Sequence, residues 1–89
     1  MRYVVWGIGA NVESAIQVLG IDAIDAFVDT NPKYIGTKFL GRPVLSYEEF
    51  KDNFSMHLLV ITFVGYDKVI DQLKKDKITR YIALEEIIY

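Results

Sequence analysis

The chain has no cysteine, which excludes disulfides and thiolate chemistry and fits a reducing compartment. It has one histidine, His57, so a zinc site would need carboxylate partners, and a Ser-His dyad near the opening glycines has no histidine at hand. Positive charge is also short: 10 Lys and Arg face 12 Asp and Glu, for a formal net charge of −2. No basic field is present to attract a nucleic acid, and none is expected as a partner. The one basic cluster, Lys74, Lys75 and Lys77, is interrupted by Asp76 and reads as the solvated end of a helix. No apolar run approaches the roughly 20 residues of a membrane span, and "MRYVVWG" is too short for the apolar part of a signal peptide. A cytoplasmic protein with no membrane partner is expected.

What is present is a globular composition: 52% hydrophobic and 25% charged over 89 residues, enough for one domain with one modest core. Residues 2–6 place Tyr3, Val4, Val5 and Trp6 in succession without alternation. That is the pattern of a strand covered on both faces, as in a parallel sheet. Beyond Gly7 and Gly9, Val12, Ala15, Ile16 and Leu19 recur at helical spacing while Asn11, Glu13, Ser14 and Gln17 take the other side. An amphipathic helix closed by Gly20 follows. Residues 23–28, "AIDAFV", predict a second strand with Asp25 toward a less buried face and Asp29 at its carboxyl end. "DTNPKYIGTKF" reads as a loop, because Asn31 precedes Pro32 and Gly36 punctuates the turn. In "FLGRPVL", Gly41 and Pro43 both weaken a ladder, so only a short edge strand is expected.

"LSYEEF" carries two helix-start signals: Ser46 and Glu49 at capping-box spacing, and Leu45 and Phe50 at hydrophobic-staple positions. A short helix beginning at Tyr47 is predicted, with a structural role and its amino end on the side away from the glycine loop. "HLLVITFV", residues 57–64, reads as a central strand. Tyr66, Val69, Ile70 and Leu73 mark a third helix running to Lys75, "RYIAL" a last strand and "EEIIY" a final helical turn. The order predicts an α/β fold: a small doubly wound parallel sheet with strand order 3-2-1-4-5 and helices on both faces. Open sheets of this kind bind ligands at the switch point, here between the carboxyl ends of strands one and four, where the glycines sit.

The candidate binding residues are Gly7, Ile8, Gly9, Ala10 and Asn11 from that loop, Asp29, Thr30 and Asn31 after the second strand, and Thr62 and Phe63 ending the fourth. Glycines there let the backbone approach a ligand at the positive end of a helix dipole. Asp29 stands 20 residues beyond Gly9, where a carboxylate accepts hydrogen bonds from ribose hydroxyls. A sharp strand-to-helix turn explains the same glycines without a ligand. Val12 occupies the place of the fingerprint's third glycine, and its side chain is expected to push the helix outward and loosen any pyrophosphate clamp. His57, at the far end of its strand, reads as a surface residue, Tyr66 as core, and Glu48, Glu49, Glu85 and Glu86 as caps or solvated charges. No catalytic or metal-ligating set is predicted.

"FVDTNPKYIGTKFLGRPVLS" combines an acid, Asn-Pro, a spaced glycine and Phe/Leu-Gly-x-Pro-Val. With the glycine loop, this run resembles the Rossmann-like nucleotide-sugar-binding domain at the N-terminus of bacterial hexapeptide-repeat sugar acyltransferases. Similar domains accompany glycosyltransferases and methyltransferases of surface polysaccharide synthesis. The resemblance implies that Gly7, Gly9 and Asp29 contact the nucleotide part of a UDP-sugar. The chain departs from the family at Ala10, Asn11 and Val12, where the acyltransferases carry glycine, histidine and glycine. The family's catalytic histidine and acetyl-CoA site belong largely to a following β-helical domain, so residues 1–89 are expected to be one Rossmann-like binding module of a longer protein, open to oligomer formation, with a nucleotide or UDP-sugar as its ligand. The competing expectation is a degenerate module that binds no small molecule and serves protein interaction or assembly. Asp29 favours the first and Val12 the second.

Overall fold

The computed structural model describes residues 1–9, 11–63 and 65–88. Strand β1 (Tyr3–Trp6) lies in the middle of a sheet, paired in parallel with β2 (Ile24–Val28) on one side and β5 (Leu58–Ile61) on the other. Val5 stands opposite Phe27 and Val60, and Trp6 opposite Val28 and Ile61. Side chains alternate between faces, so Val4 and Trp6 join one apolar layer with Ala26, Val28, Leu59 and Ile61, while Val5 joins the other with Ile24, Phe27 and Val60. Both layers are sealed: Val4 and Val5 are each 0% exposed.

Four helices cover the two faces. Helix α1 (Val12–Leu19) adds Val12 and Ala15 to the Val5 layer, and α4 (Leu84–Ile88) adds Leu84. Helix α2 (Tyr47–Asn53) adds Phe50 to the Trp6 layer, and α3 (Asp67–Lys75) adds Leu73. The helix stripes read from the sequence are therefore the surfaces that meet the sheet. Val12 itself is buried in the Val5 layer, 5% exposed, between α1 and the sheet. No described helix is long and apolar enough to cross a membrane.

The sheet has six strands in the order β3-β4-β2-β1-β5-β6, one more than the sequence suggests. "FLGRPVL" is a hairpin, with β3 (Lys38–Phe39) antiparallel to β4 (Arg42–Leu45). Its two-residue turn places Leu40 at φ 52° and Gly41 at φ 80°, the left-handed conformation at both central positions that suits a tight hairpin. Strand β4 is thus not an edge: it also pairs in parallel with β2, through Phe27 with Val44 and Val28 with Leu45, and β3 becomes the outer strand. Strand β6 (Tyr81–Ala83) closes the other side, parallel to β5. The fourth predicted strand is shorter than residues 57–64. It ends at Ile61; the Thr62 amide and hydroxyl both donate to the Trp6 carbonyl, at 3.2 and 2.9 Å, and Val64 lies outside the described residues.

Strand direction corrects one expectation. Helix α2 follows β4, which runs parallel to β2, so α2 begins at the same carboxyl edge as the glycine loop, and Tyr47 stacks on Trp6 with ring centroids 5.4 Å apart. The start itself is as the spacing predicts. The Ser46 side chain accepts from the Glu49 amide at 3.2 Å, and Glu49 accepts from the Ser46 amide at 3.1 Å. Leu45 and Phe50 are buried in one layer. Ser46→Ala leaves the Glu49 amide without this partner and is expected to lower stability by about 1 kcal/mol. Urea midpoints of the two proteins check this, and an unchanged midpoint would mean that water caps the helix equally well.

Candidate functional site

At the carboxyl edge β1, β2 and β5 each release the chain into a loop, and the three loops meet. Gly7 donates its amide to the Val28 carbonyl at 2.8 Å, and the Thr62 hydroxyl reaches the carbonyls of Trp6 and Gly7 at 2.9 and 3.4 Å. This crossing is tight. Gly7 has φ 109°, and a Cβ placed on it would lie 2.5 Å from Thr62 Oγ1. Gly9 is different, with open space around the position of a Cβ. Of the two glycines, Gly7 answers to an internal constraint and Gly9 to none among the described residues. The Asn11 side chain donates to the Thr62 carbonyl at 2.9 Å, tying the start of α1 to the end of β5. Ala10 lies outside the described residues.

Asp29 is an acceptor within the fold. One carboxylate oxygen takes the Ile8 amide at 3.3 Å and the other the Asn31 amide at 2.8 Å, so the side chain fastens the glycine loop to the loop after β2. A carboxylate has about four acceptor positions, and two remain for hydroxyl groups of a ligand. Asn31 is turned inward on its own loop, its side chain accepting from the Lys33 amide at 3.0 Å.

These loops enclose a cavity of about 290 Å³ lined by Trp6, Gly7, Asp29, Thr30, Phe63 and Val69. Four of the predicted residues, Gly7, Asp29, Thr30 and Phe63, come together on it. Ile8, Asn31 and Thr62 support its wall through the hydrogen bonds above, while Gly9 and Asn11 do not line it. Among the described residues none of α1 lines the cavity; its walls are Asp29 and its loop, two aromatic rings, and Val69 from the first turn of α3. Trp6 and Val69 were missed. Trp6 sits edge-on to Phe63, with centroids 6.0 Å apart, and its position as the last residue of a strand before a glycine was the available signal. The volume is at the small end of ligand pockets, room for part of a larger ligand whose remainder would lie along the open edge.

Nearby phenols stay protonated near neutral pH. Tyr66, half-buried rather than core, donates to Glu85 at 2.6 Å, and that hydrogen bond raises its pKa to about 12. Burial, reinforced by a hydrogen bond to Asp76, raises that of Tyr47 well above its ordinary value. No group of three or more His, Asp or Glu among the described residues is placed to hold a metal ion.

The opposite edge of the sheet holds a second polar cluster, which corrects the reading of His57 as a plain surface residue. His57 is half-buried with Nε2 2.9 Å from Asp25, and Arg2 grips the same carboxylate through Nε at 3.1 Å and through Nη2. The hydrogen bond from Arg2, then that from His57, outweigh burial and lower the Asp25 pKa to about 2. No protein-family model matches the chain, and no curated protein matches it significantly.

Two outcomes follow. Gly7→Ala is expected to cost roughly 1 to 3 kcal/mol, from left-handed strain and the clash with Thr62, and Thr62→Ala in the same chain to recover part of it. Gly9→Ala should stay within about 0.5 kcal/mol. Urea midpoints of the four proteins check the pattern, and an equal loss at both glycines would contradict it. For Asp25 the native pKa lies below the unfolded value, so its contribution is full above the unfolded pKa and is lost as pH falls toward about 2. Asp25→Asn should destabilise the protein at pH 7 and leave less further loss on acidification, as read from urea midpoints across that window.

Proposed function

We propose that the chain is a binding module for a nucleotide or nucleotide-sugar, with a UDP-sugar as the preferred ligand, held at the carboxyl edge between β1, β2 and β5. In this reading the five parallel strands form a doubly wound Rossmann-like unit, 3-2-1-4-5 when counted without the hairpin strand β3, and the cavity lies beside its switch point. The observation that carries the proposal is the convergence of Gly7, Asp29, Thr30 and Phe63, from three separate loops, on one cavity of about 290 Å³. The roles follow from the walls. Phe63 and the edge of Trp6 offer apolar contact to a planar base or a sugar face, and the two free acceptor positions of Asp29 suit ribose hydroxyls. A module of a cytoplasmic sugar-modifying enzyme of surface polysaccharide synthesis, completed by a further domain, is the setting that the sequence resemblance suggests.

A second reading, an interaction or assembly domain with no small ligand, has its own support: Thr62 accounts for Gly7, and two backbone amides already occupy Asp29. The single tryptophan separates the two, because Trp6 lines the cavity. UDP-N-acetylglucosamine is expected to change Trp6 fluorescence saturably, with NAD and acetyl-CoA weaker. Asp29→Asn should weaken UDP-sugar binding about tenfold through loss of a charged acceptor. It should also lower stability by about 1 kcal/mol, because the amide side chain has one acceptor oxygen for two backbone donors. No response to millimolar UDP-sugar would leave the interaction module, and lost stability with unchanged affinity would reduce Asp29 to a loop fastener.

A further inference from the structure

A concavity larger than the carboxyl-edge cavity lies at the opposite edge of the sheet. A cavity of about 490 Å³ opens at the amino ends of β1, β5 and β6, lined by Met1, Arg2, Met56, His57, Leu58 and Arg80. Its walls are of two kinds. Met1, Met56 and Leu58 are apolar, and Met1 and Met56 stand 84% and 71% exposed, although methionine is ordinarily among the more buried side chains. The remaining three are cationic or basic, and no acidic residue lines the space.

The charges on this edge do not cancel. Asp25 is already held by Arg2 in a two-pronged grip and by His57, and Asp22, which also acts on Arg2, lies 3.7 Å from Arg42. Arg80 has no ion pair among the described residues; its one hydrogen bond runs from Nη1 to the Met56 carbonyl at 3.3 Å, which turns the guanidinium toward Met56 and leaves most of its donors free. The adjoining hollow, about 170 Å³, shares Met56 and Arg80 and adds Lys51 and Lys77. Its acid, Asp76, accepts from Tyr47 and from the Gln72 side chain at 2.9 Å, and Lys51 is paired with Glu48 at 2.9 Å. On a chain of net charge −2, a guanidinium with no ion pair among the described residues, on a cavity that both exposed methionines line, is a local reversal of sign.

We propose that this amino-edge cavity binds a small carboxylic acid with an apolar body, its carboxylate on the Arg80 guanidinium and its body against Met1, Met56 and Leu58. Arginine presents parallel N–H donors that match the two oxygens of a carboxylate, and the unbranched, polarisable methionine side chains adapt to apolar ligands of differing shape. A bare inorganic anion would leave the apolar wall unused, and a neutral alcohol would leave the guanidinium unused. The site is independent of the carboxyl-edge reading, since the two cavities share no lining residue.

Both methionines of the chain line this cavity, so a spectrum of protein labelled with ¹³C at the methionine methyls has two signals, and each reports on the site. Sodium octanoate, below its micelle-forming concentration, is expected to shift both methyls saturably, with octanol at least several-fold weaker and inorganic phosphate without effect. Arg80→Gln should weaken octanoate about tenfold, as loss of a charged hydrogen-bond partner does. Met56→Glu, at an exposed position where a change of side chain leaves the core intact, sets a carboxylate beside Arg80 and should abolish the octanoate shift of the remaining Met1 methyl even if Arg80→Gln fails to fold. Equal response to octanol, a phosphate response matching octanoate, retained binding in both variants, or no saturable shift would each overturn the proposal.

Discussion

Strand β1 has no face toward water, and the rest of the structure is arranged to keep it so. Its four residues alternate between two apolar layers, each closed by helices, and both neighbouring strands run parallel to it. Parallel pairing requires crossovers, crossovers supply the covering helices, and a chain of 89 residues has few residues left over. The same arrangement brings the ends of β1, β2 and β5 to one edge, where the backbones must separate. Gly7 lies at that parting, pressed against Thr62, so a requirement of packing produces a concave site whether or not a ligand selected it.

That double origin shapes how the carboxyl edge is read. Asp29 takes one amide from the glycine loop and one from its own loop, and so determines the shape of the cavity before any ligand arrives. Such a wall is preorganised, which lowers the ordering cost of binding. The start of α1, by contrast, packs Val12 into the core and contributes no wall. Val69, in the first turn of α3, supplies a helical wall instead.

Local chemistry was legible in the sequence. Ser46, Glu49, Leu45 and Phe50 lie within six residues, and their capping box and staple are present as read. The stripes of α1 and α3 and the two-sided apolar run of β1 were equally clear, because each depends on periodicity alone. What was hidden depends on distant partners or on unusual backbone. The hairpin of β3 and β4 was not visible because Leu40, a poor residue for the left-handed region, shares the turn with Gly41. The grip of Arg2 and His57 on Asp25 spans 23 and 32 positions, and no local pattern announces it. The start of α2 is a matter of direction: a helix that follows a parallel strand must begin at the carboxyl edge, and the parallel order 3-2-1-4-5 already implies that for the helix after the third strand. At the candidate site, residue type and strand end single out Gly7, Asp29, Thr30 and Phe63, which line one cavity, whereas Trp6, which lines it too, reads from the sequence as part of a buried strand.

The central claim is that the carboxyl-edge cavity is a place where a ligand sits. Intermolecular nuclear Overhauser effects between UDP-N-acetylglucosamine and the protein test it most directly. The account predicts contacts from ligand protons to the rings of Trp6 and Phe63 and to the Val69 methyls, which line that cavity together. Contacts confined to other surfaces, or none from a ligand at saturating concentration, would contradict it.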